Sequence, residues 1–262
     1  MAYLLNLYQH RELLRNLVLR DLRMKYGGSV GFSPWGLLFS LFQPLSTIVV
    51  YAVVFGMIFT VRHDRFPLFL AIGVLHFSLF SGSITRSCSA ITGNAGLILN
   101  GYFPRMMLPL SVVAADFVVF GTTVTAFLLL YPWLGGQFWA GELVYVGVFL
   151  LFAVFILGCS MLCAACQSHF RDFEPMIAIF IQMLFWCTPV VYDVGMVPER
   201  IRDVLRYANP LFGYISSFRE LLGDDRFPSA SQWLTMLVWA LVSLVCGVIC
   251  FRKFEHGFAD EL

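Results

Sequence analysis

One long stretch of the sequence contains no charged residue and reads Leu143-Val-Tyr-Val-Gly-Val-Phe-Leu-Leu-Phe-Ala-Val-Phe-Ile-Leu-Gly-Cys-Ser-Met-Leu-Cys-Ala-Ala-Cys166. A helix needs about 20 apolar residues to cross a bilayer, and it satisfies its own backbone hydrogen bonds there. The stretch therefore predicts a transmembrane helix. Similar stretches elsewhere bring the predicted spans to six: Trp35–Val61, Phe66–Ile91, Leu108–Tyr131, Leu143–Cys166, Pro175–Val191 and Trp233–Phe251.

The composition of the whole chain also indicates a helical membrane protein. Of its 262 residues, 59% are hydrophobic and 13% are charged, and the mean hydropathy is +0.80. Soluble domains carry about 25% charged residues, so this chain has too little polar surface to cover a soluble core. The net charge of +1 and the lack of a basic run give no indication of nucleic-acid binding.

Lysine and arginine residues predict the orientation, because they concentrate in the cytoplasmic loops of membrane proteins. With both termini in the cytoplasm, that side holds Arg11, Arg15, Arg20, Arg23, Lys25, Arg86, Arg105, Arg171, Arg252 and Lys253. We expect one transmembrane domain over residues 1–262. It comprises an interface region (1–33), spans one to five (34–192), an outer segment (193–232), the sixth span (233–251) and a cytoplasmic tail (252–262).

An amphipathic helix is predicted before the first span. At about 100° per residue, four polar residues fall within an arc of about 80°; they are Glu12, Asn16, Arg20 and Arg23. The residues on the opposite side are Leu13, Leu14, Leu17 and Val18. We expect this helix to lie at the inner membrane surface, with its arginines toward lipid phosphates or a partner. The alternative is a solvated helix that packs on other loops.

The outer segment, residues 193–232, is too apolar for a solvated loop. Two helical pieces are predicted near Glu199–Tyr207 and Leu211–Leu222, on either side of Asn209-Pro210. We expect this pair to dip back toward the bilayer. Backbone that does not span the membrane is tolerated at that depth only where it packs in protein or lines a cavity.

No phosphate-binding loop is possible in this sequence. Such a loop needs a lysine after glycine, whereas Lys25 follows Met24 and Lys253 follows Arg252. Any ATP chemistry must therefore belong to another subunit. Cys159, Cys163 and Cys166 share one face of the fourth span, where close packing through small residues is a simpler interpretation than a redox or metal site.

Two charged residues and the many aromatic residues allow more than one interpretation. Asp116 is the only acid well inside a predicted span, and Arg86 is the only such base. A proton relay is one possibility for such residues, but a structural pair near the cytoplasmic helix ends explains them as well. Aromatic residues make up 16% of the chain. They can face lipid, or they can line a pore where sugar rings stack on them.

Four stretches occur in series along the chain. They are Asn16-Leu-Val-Leu-Arg-Asp-Leu-Arg-Met-Lys-Tyr26 before a span with Gln43-Pro44; Asn94–Asn100 before Gly101-Tyr-Phe-Pro-Arg-Met-Met-Leu-Pro-Leu-Ser111; His169-Phe-Arg-Asp-Phe-Glu174 before Phe185-Trp-Cys-Thr-Pro-Val-Val-Tyr192; and Val197-Pro-Glu-Arg200 before Ala208-Asn-Pro-Leu211. The series resembles the type-2 ABC export permeases that move O-antigen, capsule or teichoic-acid polymers. One departure is the run Gly28-Ser-Val-Gly-Phe-Ser-Pro-Trp-Gly36, where Pro34 can alter the elbow before the first span.

The resemblance implies an all-α membrane protein with an interface helix, six spans and re-entrant helices between spans five and six. It implies a homodimer in the bacterial inner membrane, bound to two copies of a separate ATPase that carries the ATP and Mg²⁺. This chain would then be the channel-forming subunit for a polysaccharide on a polyprenyl diphosphate, with O-antigen as the foremost substrate. It would need no cofactor and would have no catalytic or metal-binding residue.

The resemblance also assigns roles to particular residues. The first and second cytoplasmic loops would contact the ATPase through Asn94, Tyr102, Phe103, Arg105, Phe170, Arg171 and Asp172. The outer gate would involve Asn209, Pro210, Phe212, Tyr214 and Phe218. Apart from the resemblance, the position of Arg20, Arg23 and Lys25 at the membrane end of the interface helix predicts that they capture the lipid diphosphate at a lateral opening, because guanidinium groups bind phosphate bidentately. The alternative is a general attraction of these cations to anionic lipid.

Three alternatives stay open at this stage. A type-2 ABC permease for a small drug or lipid would share the same architecture. A polytopic membrane acyltransferase would need a His-Asp arrangement at a membrane face, and the sequence offers none with a specific spacing. A proton-coupled flippase would depend on Asp116 alone.

Overall fold

The computed structural model describes residues 10–28, 31–32, 34–55, 65–100, 104–170, 172–255 and 257–258. Over these residues the chain forms ten α-helices: α1 Arg11–Tyr26, α2 Pro34–Val53, α3 Phe66–Thr92, α4 Ala95–Asn100, α5 Met107–Leu130, α6 Glu142–His169, α7 Phe173–Cys187, α8 Glu199–Ala208, α9 Pro210–Leu222 and α10 Ala230–Glu255. Two short antiparallel strands, β1 (Gly27–Gly28) and β2 (Gly31–Phe32), connect α1 to α2, and a 3₁₀ turn at Val194–Met196 precedes α8.

Four of these helices are long and apolar enough to cross a membrane, namely α3, α5, α6 and α10. They confirm the predicted second, third, fourth and sixth spans to within a few residues. Helix α2 covers the beginning of the predicted first span, whereas residues 56–61 of that prediction lie outside the described residues. The total of six spans stays a prediction.

Helix α7 is shorter than the fifth span predicted for Pro175–Val191. It begins at Phe173 and ends at Cys187, which gives a length of about 22 Å at 1.5 Å per residue. The hydrocarbon core is about 30 Å thick. Pro189 explains the early end, because proline disfavours helical backbone at the preceding residue and cannot donate to the helix. Residues 188–192 therefore continue as irregular backbone.

Small residues bring α6 and α10 into close contact. The Cβ that a larger residue would have at Gly158 would collide with the backbone of Ser243 and Leu244, and a Cβ at Gly247 would collide with the carbonyl of Gly158. Only glycine permits this approach of two helix backbones. The prediction that small residues pack the fourth span closely against another helix is confirmed at Gly158 and Gly247.

The described residues contain one large apolar core that follows most of α3 and α6, a smaller core near α1, and a cluster of three buried residues between α1 and α5. The larger core includes α9 and the first turns of α3 and α10. The smaller core includes α1, α4 and the last turns of α6 and α10. We call these regions the α9 end and the α1 end. The predicted pair of short helices around Asn209-Pro210 is confirmed as α8 and α9, and α9 is buried between α3, α6 and α10.

Helix α1 is amphipathic, as its sequence predicts. Leu17 is buried in the core of the α1 end, with Leu13 and Leu14 packed against it. Leu22 is buried against Ala115 and Val119 of α5. The apolar face thus packs on the helix bundle itself, and the face with Asn16, Arg20 and Arg23 remains accessible.

Candidate functional site

The accessible face of α1 lines an open groove. The groove has a volume of about 470 Å³ and is lined by Asn16, Leu19, Arg20, Arg23 and Met24. Residues three or four apart on a helix project to the same side, so the two arginines face the groove together. The structure thus brings together two of the three residues predicted to capture the lipid diphosphate. The side chain of Lys25 lies outside the described residues.

Asp21, which the sequence analysis did not single out, holds Arg20 in this groove. Arg20 donates to Asp21 Oδ1 from Nη2 at 2.8 Å and from Nε at 3.2 Å, and Ser111 Oγ of α5 donates to Asp21 Oδ2 at 2.9 Å. A buried carboxylate needs such donors, and Asp21 is only 7% exposed. Arg23 is exposed and forms no ion pair within the described part of the chain. The only sequence signal was an acid directly after Arg20 on a basic helix.

Arg86 and Asp116 form an ion pair between α3 and α5. Arg86 Nε donates to Asp116 Oδ2 at 3.1 Å, Nη2 contacts Asp116 Oδ1, and Nη2 also donates to the carbonyl of Val112 at 3.3 Å. Bidentate geometry of this kind is among the stronger forms of ion pairing. The structural interpretation of these two residues is therefore supported, because the carboxylate of Asp116 already accepts from a neighbouring helix.

Two of the residues predicted for the first ATPase-contacting loop form hydrogen bonds within the subunit. Asn94 Nδ2 donates to the carbonyl of Ala90 at 2.8 Å and so caps the end of α3. Arg105 Nη1 donates to the backbone carbonyl of Glu255 at the end of α10. Both side chains are thus used within the subunit, whereas Tyr102 and Phe103 lie outside the described residues.

The second predicted loop is a tight connection between α6 and α7. Gln167 Oε1 accepts from the backbone N–H of Glu174 at 2.6 Å, which closes the loop. Phe170 and Asp172 are exposed, with 61% of Phe170 accessible. Both of these predicted contact residues are therefore accessible on the surface of the subunit. Arg171 lies outside the described residues.

The residues predicted for the outer gate lie at the α9 end and face the subunit's own core. Asn209 Oδ1 caps α9 at the N–H of Leu211, at 2.9 Å, and Pro210 is the first residue of that helix. Tyr214 Oη donates to the carbonyl of Met236 in α10 at 2.7 Å. Phe212 and Phe218 are buried. These side chains fix the position of α9 within the subunit. Any role of α9 in gating would therefore depend on where the helix lies.

Arg219 is the main residue of the α9 end that the sequence did not reveal. Its guanidinium carbon lies 3.4 Å from the centroid of the Phe69 ring. Nη2 donates to the carbonyl of Val190 at 2.5 Å, Nη1 donates to that of Pro189, and Nε donates to that of Phe69 at 3.4 Å. A Cβ at Gly73 would lie 2.6 Å from Nη2, so glycine is required there. Arg219 therefore supplies the donors that the irregular backbone after α7 needs.

The neighbouring acid, Glu220, connects α9 to the beginning of α10. Gln232 Nε2 donates to Glu220 Oε1 at 2.8 Å, and Oε2 has no hydrogen-bond partner among the described residues. Burial raises the pKa of Glu220, and the bond from Gln232 opposes this shift. The carboxylate is thus a partly satisfied group at the edge of the α9 end.

Aromatic side chains divide into a buried set and an exposed set. The buried set forms a chain of ring contacts through the larger core: Phe80, Phe152, Phe155, Tyr214 and Phe218. His76 stacks on Phe218 at 3.9 Å. The exposed set includes Phe42 of α2 and Phe180 and Trp186 of α7. Only the exposed set is available to lipid or to a pore.

Polar side chains accompany the exposed aromatic residues on α2 and α7. Gln43 is exposed on α2, with Ser46 and Thr47 on the same face because they follow it by three and four residues. Gln182 is exposed on α7 between Ile179 and Trp186. The rings of Tyr51 and Phe185 stack at 5.9 Å, which places α2 and α7 on the same side of the subunit. An amide that faced lipid would lack a hydrogen-bond partner.

No metal site is found among the described residues, where no three His, Cys, Asp or Glu side chains are placed to hold an ion. The seven cysteines are free thiols. Three accessible features stand out among the described residues: the cationic groove on α1, the exposed loop between α6 and α7, and the polar and aromatic face of α2 and α7.

Comparison with known families matches residues 32–222 to the ABC-2 type transporter family. Curated relatives match nearly the whole chain. An O-antigen export system permease protein RfbA of Klebsiella pneumoniae is 29% identical over 261 residues, which covers 96% of this chain and 95% of the relative. The RfbA permease of Myxococcus xanthus is 27% identical, with 98% and 97% covered. The polysialic acid transport protein KpsM of Escherichia coli is 23% identical, with 92% and 93% covered.

Proposed function

Because the chain belongs to the ABC-2 type transporter family, we propose that it is the channel-forming subunit of a transporter that exports lipid-linked polysaccharide, with O-antigen as the foremost class. It is a multi-pass membrane permease and not an enzyme, and its ATPase is a separate subunit. The relatives that support O-antigen are 27–29% identical, whereas those named for polysialic acid are 22–23% identical. Membership in this transporter family excludes the alternative of a membrane acyltransferase.

The proposed assembly is a homodimer in the bacterial inner membrane, with six spans per subunit and both termini in the cytoplasm. The α1 end then faces the cytoplasm, where the exposed Phe170 and Asp172 contact the ATPase. The α9 end faces outward. The distribution of lysine and arginine supports this orientation, since Arg105, Arg252 and Lys253 lie at the α1 end.

The observation that carries the proposal is the polar face of α2 and α7. Gln43 and Gln182 are exposed on largely apolar helices, and so are the nearby rings of Phe42 and Trp186. If these faces of two copies met around a pore, the amides could bind sugar hydroxyls and the rings could stack on the C–H faces of sugars. Facing lipid, the same amides would remain unsatisfied. A pore for a polar polymer explains why they are there.

The groove on α1 is the proposed capture site for the lipid diphosphate. A guanidinium can bind two phosphate oxygens at once, which an ammonium cannot do. Arg23 is exposed at the groove, and Arg20 is oriented there by Asp21. The chemistry of the groove therefore suits a membrane lipid with a concentrated negative charge in the head group.

The proposal can be tested by reconstituting the chain and its ATPase in vesicles with a polyprenyl-diphosphate-linked glycan in the outer leaflet. ATP should drive the glycan into the lumen, where it is protected from an added glycosidase, and the chain alone should not hydrolyse ATP. Gln43→Leu with Gln182→Leu should preserve assembly but lower transport, because the pore would lose its hydroxyl-binding amides. The control is Val245→Leu, at an exposed apolar position of α10.

Different failures of this experiment have different meanings. Transport of a small lipid, with no ATP-dependent protection of glycan, would support the alternative of a drug or lipid permease. Normal glycan transport by the double leucine variant would refute the pore face. Arg20→Lys with Arg23→Lys keeps the charge but loses the bidentate geometry. If this variant transported glycan at the wild-type rate, the groove would only attract anionic lipid in general and would not recognise the diphosphate.

A further inference from the structure

The turn at the end of α10 is unusually well packed for a surface element. Phe258 and Phe251 are fully buried, and their rings meet edge to face at 5.3 Å. The N–H of Gly257 donates to the carbonyl of Phe254 at 3.0 Å, which closes the turn. We call Phe251, Phe254, Glu255, Gly257 and Phe258 the aromatic turn. Its two fully buried rings fix this helix end in the core of the α1 end.

The aromatic turn binds the first predicted ATPase-contacting loop. Arg105 Nη1 donates to the backbone carbonyl of Glu255. Met106 and Ile98 are buried in the same apolar core as Phe258. The loop that follows α3 is therefore held against the end of α10 by one charged hydrogen bond and by packing.

The aromatic turn also contacts the beginning of the second loop. His169 is the last residue of α6, directly before the exposed Phe170. Its ring lies 4.3 Å from that of Phe254 and 6.3 Å from that of Phe258, measured between centroids. A Cβ at Gly257 would lie 3.3 Å from His169 Nε2, so a larger residue there would press on the ring.

We infer that the aromatic turn joins the two ATPase-contacting loops into one unit, with Arg105 and Phe254 as its positioning residues. The inference builds on the proposed function and on the prediction that both loops contact the ATPase. Packed side chains transmit a displacement because protein interiors are dense and hardly compressible. A movement that the ATPase imposes on one loop then moves the other as well. In this arrangement Arg105 acts inside the subunit, through its bond to Glu255.

The test uses the complete transporter in vesicles, with one variant for each connection. Arg105→Ala removes the connection to the first loop, and Phe254→Ala removes the connection to the second. Both variants should bind the ATPase and hydrolyse ATP, but the amount of glycan transported per ATP should fall about fivefold. Arg105→Lys should recover part of this ratio. Lys253→Ala removes an exposed cation from the same helix end and should leave the ratio unchanged.

Hydrogen exchange distinguishes transmission from local packing. In Arg105→Ala, amide exchange should increase at residues 167–174 as well as at 94–105, although Arg105 lies in the first loop only. The inference would be overturned if amide exchange increased in the first loop alone. It would also be overturned if Arg105→Ala bound less ATPase while the transporters that still assembled moved as much glycan per ATP as the wild type. If the wild-type transporter moved no glycan at all, the proposed function would fail, and the exchange measurement would still test the connection between the loops.

Discussion

The two ends of the subunit are held together by different kinds of interaction. At the α9 end, the donors of Tyr131, Trp139 and Arg219 bind backbone carbonyls of the segments that follow α7 and end α9. At the α1 end, the fully buried rings of Phe251 and Phe258 pack among apolar side chains. One end thus depends on directed hydrogen bonds, and the other depends mainly on packed volume.

The backbone explains this difference. Between α7 and α9 the chain leaves the helical conformation, so its carbonyls lose their partners within the helix. In surroundings with little water, such groups need donors from side chains. The α1 end borders the cytoplasm in the proposed orientation, where water can hydrate helix termini. Packing contributes most there, and a few side-chain hydrogen bonds add to it, such as those from Arg105 to the carbonyl of Glu255 and from Asn94 to that of Ala90.

Conservative substitutions can separate the two kinds of interaction. A directed hydrogen bond needs one atom in one place, so a similar side chain often cannot replace the original. Apolar packing depends on volume and tolerates a side chain of similar size. Conservative substitutions should therefore lower the free energy of unfolding strongly at the α9 end and weakly at the α1 end.

Arg219→Lys should have the largest effect. A lysine ammonium cannot stack on Phe69 and at the same time serve the carbonyls of Phe69, Pro189 and Val190. Hydrogen bonds to charged groups contribute about 1.5–3 kcal/mol each, so the free energy of unfolding should fall by about 3 kcal/mol. Equilibrium unfolding in mixed micelles measures this change. Arg200→Lys, at an exposed position on α8, is the matched control; equal losses in the two variants would contradict the prediction.

Asn209→Ser should have an intermediate effect. Serine keeps an oxygen that can cap α9, but it removes the donor from Asn209 Nδ2 to the carbonyl of Cys187 at 3.1 Å and to Thr188 Oγ1 at 2.8 Å. Two lost bonds should lower the free energy of unfolding by about 2 kcal/mol. Asn209→Ala also loses the cap and should cost about 1 kcal/mol more. If the two variants were equally stable, the capping role would be wrong.

Phe258→Met should have the smallest effect, although Phe258 is fully buried. Methionine is flexible and fills irregular spaces, and volume-conserving apolar exchanges usually cost less than about 1.5 kcal/mol. We expect a loss of about 1 kcal/mol or less in the same unfolding measurement. A loss as large as that of Arg219→Lys would show that ring geometry at the α1 end is as demanding as hydrogen bonding at the α9 end.

The predictions from sequence succeeded where the signal is local. The four long apolar helices and the two short helices around Asn209-Pro210 each depend on composition and periodicity within a few turns. Helix α7 was placed too far along the chain, because the residues after Cys187 remain apolar although Pro189 ends the helix. Arg20 and Arg23, two of the three residues predicted to capture the lipid diphosphate, line one groove, and their role stays a prediction. The sequence analysis did not single out Arg219, whose hydrogen-bond partners are backbone carbonyls.

By itself, the sequence determined that the chain crosses a membrane, where most of its helices lie, and that it has no phosphate-binding loop for ATP. Hydropathy, helical periodicity and the position of two lysines are readable along the chain without knowing its path. Only the tertiary structure decided which polar side chains serve the protein's own backbone. Arg105 and Arg219 each reach a carbonyl 150 residues away along the chain, and such a partner is chosen by how helices pack and leaves no local pattern.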